Sequence, residues 1–333
     1  SWWFEALTPA GGGRRDEVEA RYRHLATLMA GDPPPARPTT CQPFGFVPSG
    51  AEHRKAVEAA VEYIRAGDIF QANVCLAAGS ALDGDPLDLF CRGVEALRPA
   101  YGAFVGSAEG AVCSFSPELF LELRSRHART SPIKGTAPRT GAGDAAGREA
   151  DDQRRALEAS PKDRAENVMI VDLMRNDLGR VCAYGTVHVP QLARAEPHPG
   201  LWHLVSDVTG ELRPDADAGD LVRAAFPPGS CTGAPKVRAM ELINELEATA
   251  RGAYTGAVGG ASPLAGLTLN VAIRTVEWSA TTGALTLGVG GGIVADSTPE
   301  AELAECLTKA GPIVAALGAT LHEPDPPDPP GPR

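Results

Sequence analysis

The sequence changes period between residues 50 and 80, and that change limits what the chain can become. In AEHRKAVEAAVEYIRAG apolar residues recur at Val57, Val61 and Ile64, the spacing of one helical face, and Gly67 closes the run. In DIFQANVCLAAG, which follows at once, Phe70, Ala72, Val74 and Leu76 alternate with Gln71, Asn73 and Cys75. That alternation predicts a strand whose second face is polar or turned toward a ligand. Further helices are expected at about 150 to 178, 234 to 248 and 298 to 316, with strands in LTLNVAIRTVEW and ALTLGVGGGIV. The mixture predicts an α+β fold, not the regular βα alternation of a parallel sheet.

With 333 residues, 43% hydrophobic and 22% charged, the chain has enough apolar material for a large buried core. Residues 31–50, GDPPPARPTTCQPFGFVPSG, read as linker, so residues 1–50 are expected to form an N-terminal arm. Residues 51–320 are expected to form one globular domain, and 321–333, with HEPDPPDPPGPR, a Pro-rich disordered tail. The net charge of −11 argues against a nucleic-acid partner, whose phosphates need clustered Lys and Arg. Cysteines at 41, 75, 91, 113, 182, 231 and 306 are odd in number and contain no CxxC pair, so they are expected to be reduced. The first residues, SWWFEALTPAGGGRRDE, lack a signal-peptide pattern, and the longest apolar run, VMIVDLM, is broken by Asp172. The expectation is a cytoplasmic protein that does not enter a membrane. The absence of an initiator Met suggests trimming or a fragment.

Three stretches could carry chemistry. SPKDRAENVMIVDLMRNDLGRV begins with Ser160 as a plausible N-cap and Pro161 at the first helical position, and its helix ends at Gly179. Glu166 shares a face with Ile170 and Leu173, so it is either a solvated rim glutamate or a metal ligand. In DSTPEAELAECLTKA, Ser297 and Glu300 read as a capping box, and Glu302, Glu305 and Lys309 share a helical face. Glu305 and Lys309 form either an ordinary ion pair or, with Glu302, part of an Mg²⁺ site of hard oxygen ligands. The run LGVGGGIVADS leaves main-chain amides accessible at Gly290, Gly291 and Gly292. It fits no dinucleotide fingerprint, because Ile293 occupies the third glycine position. PPGSCTGAPKVRAMELINELE fails the Walker spacing. It is a glycine-rich turn feeding a helix, either a plain helix entry or an anion site.

Taken in order, PIKGTAPR, KDRAENVMIVDLMRNDLGRV, HLVS, FPPGSCTGAPKVRAMELINELE, AIRT and GGGIVADSTPEAELAECLTKA resemble the chorismate-utilising enzymes over about residues 50–316. Within them the chain is most similar to the synthase component of the aminodeoxychorismate synthases. The resemblance implies an anthranilate-synthase-like two-sheet α/β/β/α sandwich. It is expected here in N-terminally shortened form, since only about 50 residues precede the first matching helix. It also implies an Mg²⁺-dependent exchange of the 4-hydroxyl of chorismate for an amino group, on the way to p-aminobenzoate and folate. By the same resemblance Glu166 and Glu305 hold Mg²⁺ with Glu302 beside them. Arg274 and Lys309 bind substrate carboxylates, aided by amides around Gly233 and Gly291, with Thr232, Thr136 and Gln71 also lining the substrate site. Glu118, in SFSPELF, is the implied general acid and His203 lies near the reacting carbons.

Two positions separate the branches of this family. A lysine at position 134, in PIKGT, marks the aminodeoxychorismate branch, where it is thought to attack carbon 2 of the ring. Such an amine must be deprotonated, which a dry pocket beside other cations favours. Isochorismate and salicylate synthases have a lysine where this chain has Gln71, and a neutral amide cannot activate water. No cysteine nucleophile with a downstream His and Glu is recognisable, so ammonia is expected from a glutamine amidotransferase partner or from ammonium. Anthranilate or aminodeoxyisochorismate formation, and an inactive chorismate-binding subunit, are the alternatives. Trp2 and Trp3 are a candidate remnant of the longer N-terminal segment of these relatives, expected to pack on the core.

Overall fold

In the computed structural model, which describes residues 6, 14–32, 38–139, 144–198 and 201–322, the chain divides into two compact units, 1–38 and 39–333. The first holds helix α1 (Arg15–Ala30), none of whose residues is buried. Trp2 and Trp3 lie outside the described residues. The second unit starts ahead of the predicted boundary at residue 50, because β1 (Thr40–Cys41) and β2 (Gly45–Val47) pair with β3 (Gln71–Asp83). Strands of two and three residues are too short to show alternation, and their Pro- and Gly-rich setting reads as linker. At the far end Leu321 bridges to Phe44, and the His322 N–H donates to the Phe44 carbonyl. Most of the predicted tail lies outside the described residues.

Helix α2 (Gly50–Ala66) forms as its period predicts. Ser49 and Glu52 make a reciprocal capping box, and Gly67 closes the helix at φ 86°. The chain then runs into β3, the spine of an eight-stranded antiparallel sheet that also contains β15 (Ala284–Ile293), β14 (Thr275–Ser279), β5 (Gly110–Ser116) and β4 (Tyr101–Gly106). One long edge of β3 pairs with β15, while β1, β2 and β11 (Gly233–Ala234) share the other. Residues Gln71 to Leu76 are buried on both faces, and Phe70, expected inside, is 73% exposed.

The second sheet runs β12 (Ala257–Ser262), β13 (Gly266–Val271), β6 (Leu119–Arg124), β7 (His127–Ser131), β10 (Leu201–Glu211), β8 (Ile133–Pro138), with β9 (His188–His198) on β10. Helices α3 (Pro86–Leu97) and α8 (Pro299–Ala316) cover the first sheet through Leu89, Cys306, Ile313 and Val314. The second is covered by α4 (Asp144–Ala159), α5 (Pro161–Gly179) and α6 (Ala218–Ala225), while α7 (Lys236–Leu246) packs on the start of β3. This is the expected α/β/β/α sandwich. Between the sheets, the Asn270 amide of β13 donates to the Tyr101 carbonyl at 2.7 Å and to Ser114 Oγ at 3.1 Å. The helix expected over 150–178 is two, parted at Ser160, whose hydroxyl caps the second by accepting from Asp163 N. Among the described residues no helix is long and apolar enough to cross a membrane.

One buried amide sets the position of α5. Asn167 Nδ2 donates to the Leu204 carbonyl at 3.1 Å, and its Oδ1 accepts from Ser206 Oγ, tying the helix to β10 at the residue next to Glu166. Asn167→Ala takes the donor from the Leu204 carbonyl and the acceptor from the Ser206 hydroxyl proton, although Ser206 Oγ still accepts from Ala193 N, so it is expected to cost about 1–3 kcal/mol. A denaturant titration reads this directly, and a loss below about 0.5 kcal/mol would contradict it.

Candidate active site

The chain passes between the sheets twice at one place. It leaves β5 at Ser116 and enters β6 at Leu119, and between them Glu118 is turned into the interior, 3% exposed. It leaves β13 at Val271 and enters β14 at Thr275, and there Arg274 adopts φ 50°, a left-handed conformation unusual for a residue with a side chain. The two crossings are joined by Phe115 N to Arg274 O and Val271 N to Glu118 O, both 3.0 Å. Burial pushes the Glu118 carboxyl up to about 7, against the Ser230 hydroxyl, Lys134, the Ile133 N–H and Arg274, all of which favour the carboxylate. Burial likewise pulls Arg274 down, and Glu118 counters it.

Lys134 stands on β8, half-buried, with no hydrogen bond or ion pair within 4.0 Å among the described residues. A Cβ placed on Gly292 of β15 would lie 3.2 Å from its Nζ and 3.0 Å from Gln71 Nε2. The amine and the amide therefore face one small space that only glycine leaves open. Gln71 is fully buried, and neither its Nε2 nor its Oε1 has a partner. Lys134 favours the charged forms of Glu118, Glu166 and Glu305, and Arg274 acts on Glu118 as well.

The three acidic candidates come from two helices. Burial raises Glu166, helped by Asp163 and Glu305 and opposed by Lys134 and by Lys162, whose Nζ is 4.0 Å away. Burial also raises Glu302, whose Oε2 has no partner and would sit 2.7 Å from a Cβ on Gly291. For Glu305 burial acts upward but is outweighed by Lys309, Lys134 and Lys162, leaving it low. The four-residue pair is real: Lys309 Nζ lies 2.7 Å from Glu305 Oε1 and donates to the Gly290 carbonyl at 2.7 Å, which uses two of the three N–H groups of this ammonium. The predicted Ser297–Glu300 capping box does not form. Thr298 is the N-cap of α8, and Ser297 Oγ donates to Glu302 Oε1 at 2.6 Å instead.

Among the described residues no three His, Cys, Asp or Glu side chains close on one point tightly enough to hold a metal ion unaided. Hard carboxylate oxygens within electrostatic reach, one of them buried and unpartnered, nevertheless fit Mg²⁺, which takes few protein ligands and completes its shell with water and ligand oxygens.

The remaining candidates frame this space. His203 on β10 is 2% exposed. Its Nδ1 lies 3.0 Å from Thr136 Oγ1 and its Nε2 has no partner. Burial, with Arg274 and His198 adding to it, lowers His203 to about 3, so it is a neutral imidazole near pH 7. Thr232 turns its hydroxyl back to the Pro228 carbonyl at 3.2 Å. Gly233 is required by close packing, since a Cβ there would meet the Gln71 carbonyl and Ala239. The glycine run is strand, as ALTLGVGGGIV predicts, with Gly290, Gly291 and Gly292 pairing with Cys75, Val74 and Asn73. The α7 entry is tied up by Lys236, which binds Asp177 at 2.6 Å and the Ala225 carbonyl at 2.8 Å. Sequence reasoning missed Ser230 as a group favouring the Glu118 carboxylate and Gly292 as the opening beside Lys134, although both lie inside motifs it had singled out.

A profile of the chorismate binding enzyme family matches residues 13–315. The chain belongs to this family. Over 301 residues it is 42% identical to aminodeoxychorismate synthase component 1 of Salmonella typhimurium, covering 90% of this chain and 64% of that one. Over 256 residues it is 47% identical to the Klebsiella aerogenes protein of the same name, covering 77% and 55%. The chain thus spans between half and two thirds of the length of these relatives. In three dimensions it is similar to anthranilate synthase component I from Streptococcus pneumoniae, with a TM-score of 0.78 and 28% identity over 90% of this chain and 66% of that one.

Two outcomes follow from this geometry. The folded protein keeps a proton on Glu118 that the unfolded chain releases near 4.5, so the contribution of this group to stability falls as pH rises from 4.5 to about 7 and then levels off, while the buried His53 and His203 act the other way. Relative to Glu118→Gln the wild type is expected to lose roughly 3 kcal/mol over that window. Denaturant titrations of both proteins at several pH values measure it, and parallel curves would contradict it. Gly292→Ala puts a methyl against the ends of two side chains rather than against backbone, so it is expected to cost less than about 1.5 kcal/mol of stability. It should nevertheless remove the thermal stabilisation given by chorismate, and an unchanged shift would show that this space is not where the ligand goes.

Proposed function

We propose that the chain is the synthase component of an aminodeoxychorismate synthase, converting chorismate and ammonia to 4-amino-4-deoxychorismate for p-aminobenzoate and folate formation. The observation that carries this reading is Lys134 Nζ standing beside Gly292 and the unpartnered Gln71 amide, at the crossing that buries Glu118. The names of its relatives support it.

Chorismate carries two carboxylates, and Arg274, free of any ion pair among the described residues, is placed to take one of them. Glu166, Glu302 and Glu305 would hold Mg²⁺, which when bound supplies positive charge for the ring carboxylate and draws electron density from the ring. Lys134 Nζ bonds to ring carbon 2, the two ring double bonds each move one place, and the bond from carbon 4 to its hydroxyl breaks. The hydroxide takes the Glu118 proton and leaves as water; a carboxyl near 7 can hold that proton until it is needed. Ammonia then bonds to carbon 4, the double bonds move back, and the bond to Lys134 breaks. The surplus proton on the new ammonium returns to Glu118. His203, neutral and with Nε2 unpartnered, can offer the ligand a hydrogen bond but not a charge.

A glutamine amidotransferase partner is proposed as the ammonia source. Burial pushes the thiols of Cys113 and Cys306 up to about 12 and that of Cys231 up to about 11, which makes them poor nucleophiles and supports an outside source. All seven cysteines are free, which supports a reducing cytoplasmic setting. The second reading, anthranilate formation with Lys134 as a carboxylate clamp, is favoured by the fold similarity to an anthranilate synthase component.

Incubation with chorismate, Mg²⁺ and ammonium, followed by product identification, separates the readings. The expected product is 4-amino-4-deoxychorismate, and Glu118→Gln should lower kcat by about 10²–10⁴-fold. Anthranilate as the main product would establish the second reading, and no turnover would leave a binding subunit.

A further inference from the structure

The turn that joins the glycine strand to α8 holds a serine that the amination chemistry leaves unused. β15 ends at Ile293 and α8 begins at Pro299. Between them the chain closes on itself. The Ser297 N–H donates to the Val294 carbonyl at 3.0 Å, and the Val294 N–H donates back to Ser297 Oγ at 3.1 Å. Two bonds to one residue fix where this hydroxyl stands. It does not serve as a helix cap, because the N-cap of α8 is Thr298 and no side chain caps the helix there.

A hydroxyl has one proton to give. With an N–H already donating to Oγ, that proton goes to Glu302 Oε1, 2.6 Å away on the first turn of α8. The other oxygen of this carboxyl is left over: Glu302 is 6% exposed and its Oε2 has no partner. That oxygen is turned toward the glycine strand, since a Cβ on Gly291 would lie 2.7 Å from it. The same Cβ would lie 3.6 Å from Glu305 Oε1, so both carboxyl groups open on the gap that Gly291 leaves. They are held differently. Glu305 has Lys309 at 2.7 Å, whereas among the described residues Glu302 has no ion pair and only the Ser297 hydroxyl as a hydrogen-bond partner. A neutral donor fixes a carboxyl without cancelling its charge.

We infer that Ser297 is a positioning residue for the divalent-cation site: by holding Oε1 of Glu302 it turns Oε2 into the gap beside Gly291, as the oxygen offered to the ion. The long side chain of Glu302 can turn about several bonds, and ordering it costs conformational entropy. With the hydroxyl in place that cost is met on folding. Without it the ion must order the carboxyl itself, and its affinity falls. The inference rests on the reading that Glu302, with Glu166 and Glu305, holds Mg²⁺, and not on which product the site makes.

The test measures bound Mn²⁺, a hard-oxygen ion used in place of Mg²⁺, in the full chain with and without chorismate and with no ammonium present. Loss of the free-ion paramagnetic resonance signal gives the dissociation constant, so no turnover is needed. Ser297→Ala should raise that constant by about 10-fold or more, as loss of a group supporting a metal ligand does. Ser297→Thr keeps the hydroxyl and should recover most of the affinity. Glu302→Gln should weaken binding at least as much as Ser297→Ala, and adding Ser297→Ala to it should weaken it no further, because the hydroxyl acts through that carboxyl. A merely structural role for the 294–297 turn would weaken both backgrounds alike. An unchanged constant in Ser297→Ala or in Glu302→Gln, no recovery in Ser297→Thr, or losses that add in the double variant would each overturn the inference. If Ser297→Ala does not fold, as judged by circular dichroism, Ser297→Cys fills the same space with a weaker donor and carries the same expectation. Wild type that binds no Mn²⁺ under either condition would remove the metal reading and the inference with it. Wild type that binds, with Ser297→Ala binding equally well, would remove the inference alone.

Discussion

A carboxyl group buried where the chain crosses between two sheets is the constraint on which the rest of this structure depends. At Glu118 the strand direction breaks, the side chain has nowhere to go but inward, and the dry surroundings make its proton hard to lose. The second crossing, at Arg274, is laced to the first by two main-chain hydrogen bonds, so an acid and a cation are delivered to the same place by the topology itself. Lys134 arrives on the next strand pair, and the open edge of β15 past its pairing with β14 supplies the glycines that keep the space empty.

Buried polar groups without partners gather at this spot. Of the seven such side-chain atoms among the described residues, four belong to Gln71, His203 and Glu302. Leaving them unpaired costs stability, and a folded protein tolerates that where a ligand completes the set. The acidic side behaves in the same way. Glu305 is held low by Lys309, while Glu302, one turn away, is pushed up by burial and by the charge on Glu305. Two carboxyl groups shifted in opposite directions beside a third on α5 make a site with unfilled demand for positive charge, which is how the proposed Mg²⁺ enters the account.

Elements governed by local chemistry were legible in the sequence. The Ser160 cap and Pro161 start of α5, the Gly67 stop of α2 and the alternation of β3 all depend on neighbours a few residues away. Features governed by distant contacts were not. Ser297 and Glu300 have the spacing of a capping box, but Ser297 spends its hydroxyl on Glu302. Gly233 looks like an anion-binding glycine, yet β3 passing against it is what requires it. The motif that holds Ser230 was conspicuous, while Glu118, whose carboxylate it favours, lies more than a hundred residues earlier and no period links them. Family resemblance named candidates that spacing could not, and the fold places Glu118 and Arg274 at one crossing with Lys134 acting on the same carboxyl; Lys309 and Thr232 make bonds within the chain.

The central claim is that the Lys134 amine reaches the ring carbon of a bound substrate. The most direct measurement is peptide mass mapping of protein quenched in acid during turnover with chorismate, Mg²⁺ and ammonium. The account predicts a ring-derived mass on the peptide containing Lys134, absent in Lys134→Gln together with turnover. Sustained wild-type turnover by Lys134→Gln, with no adduct on any lysine of the native protein, would contradict it.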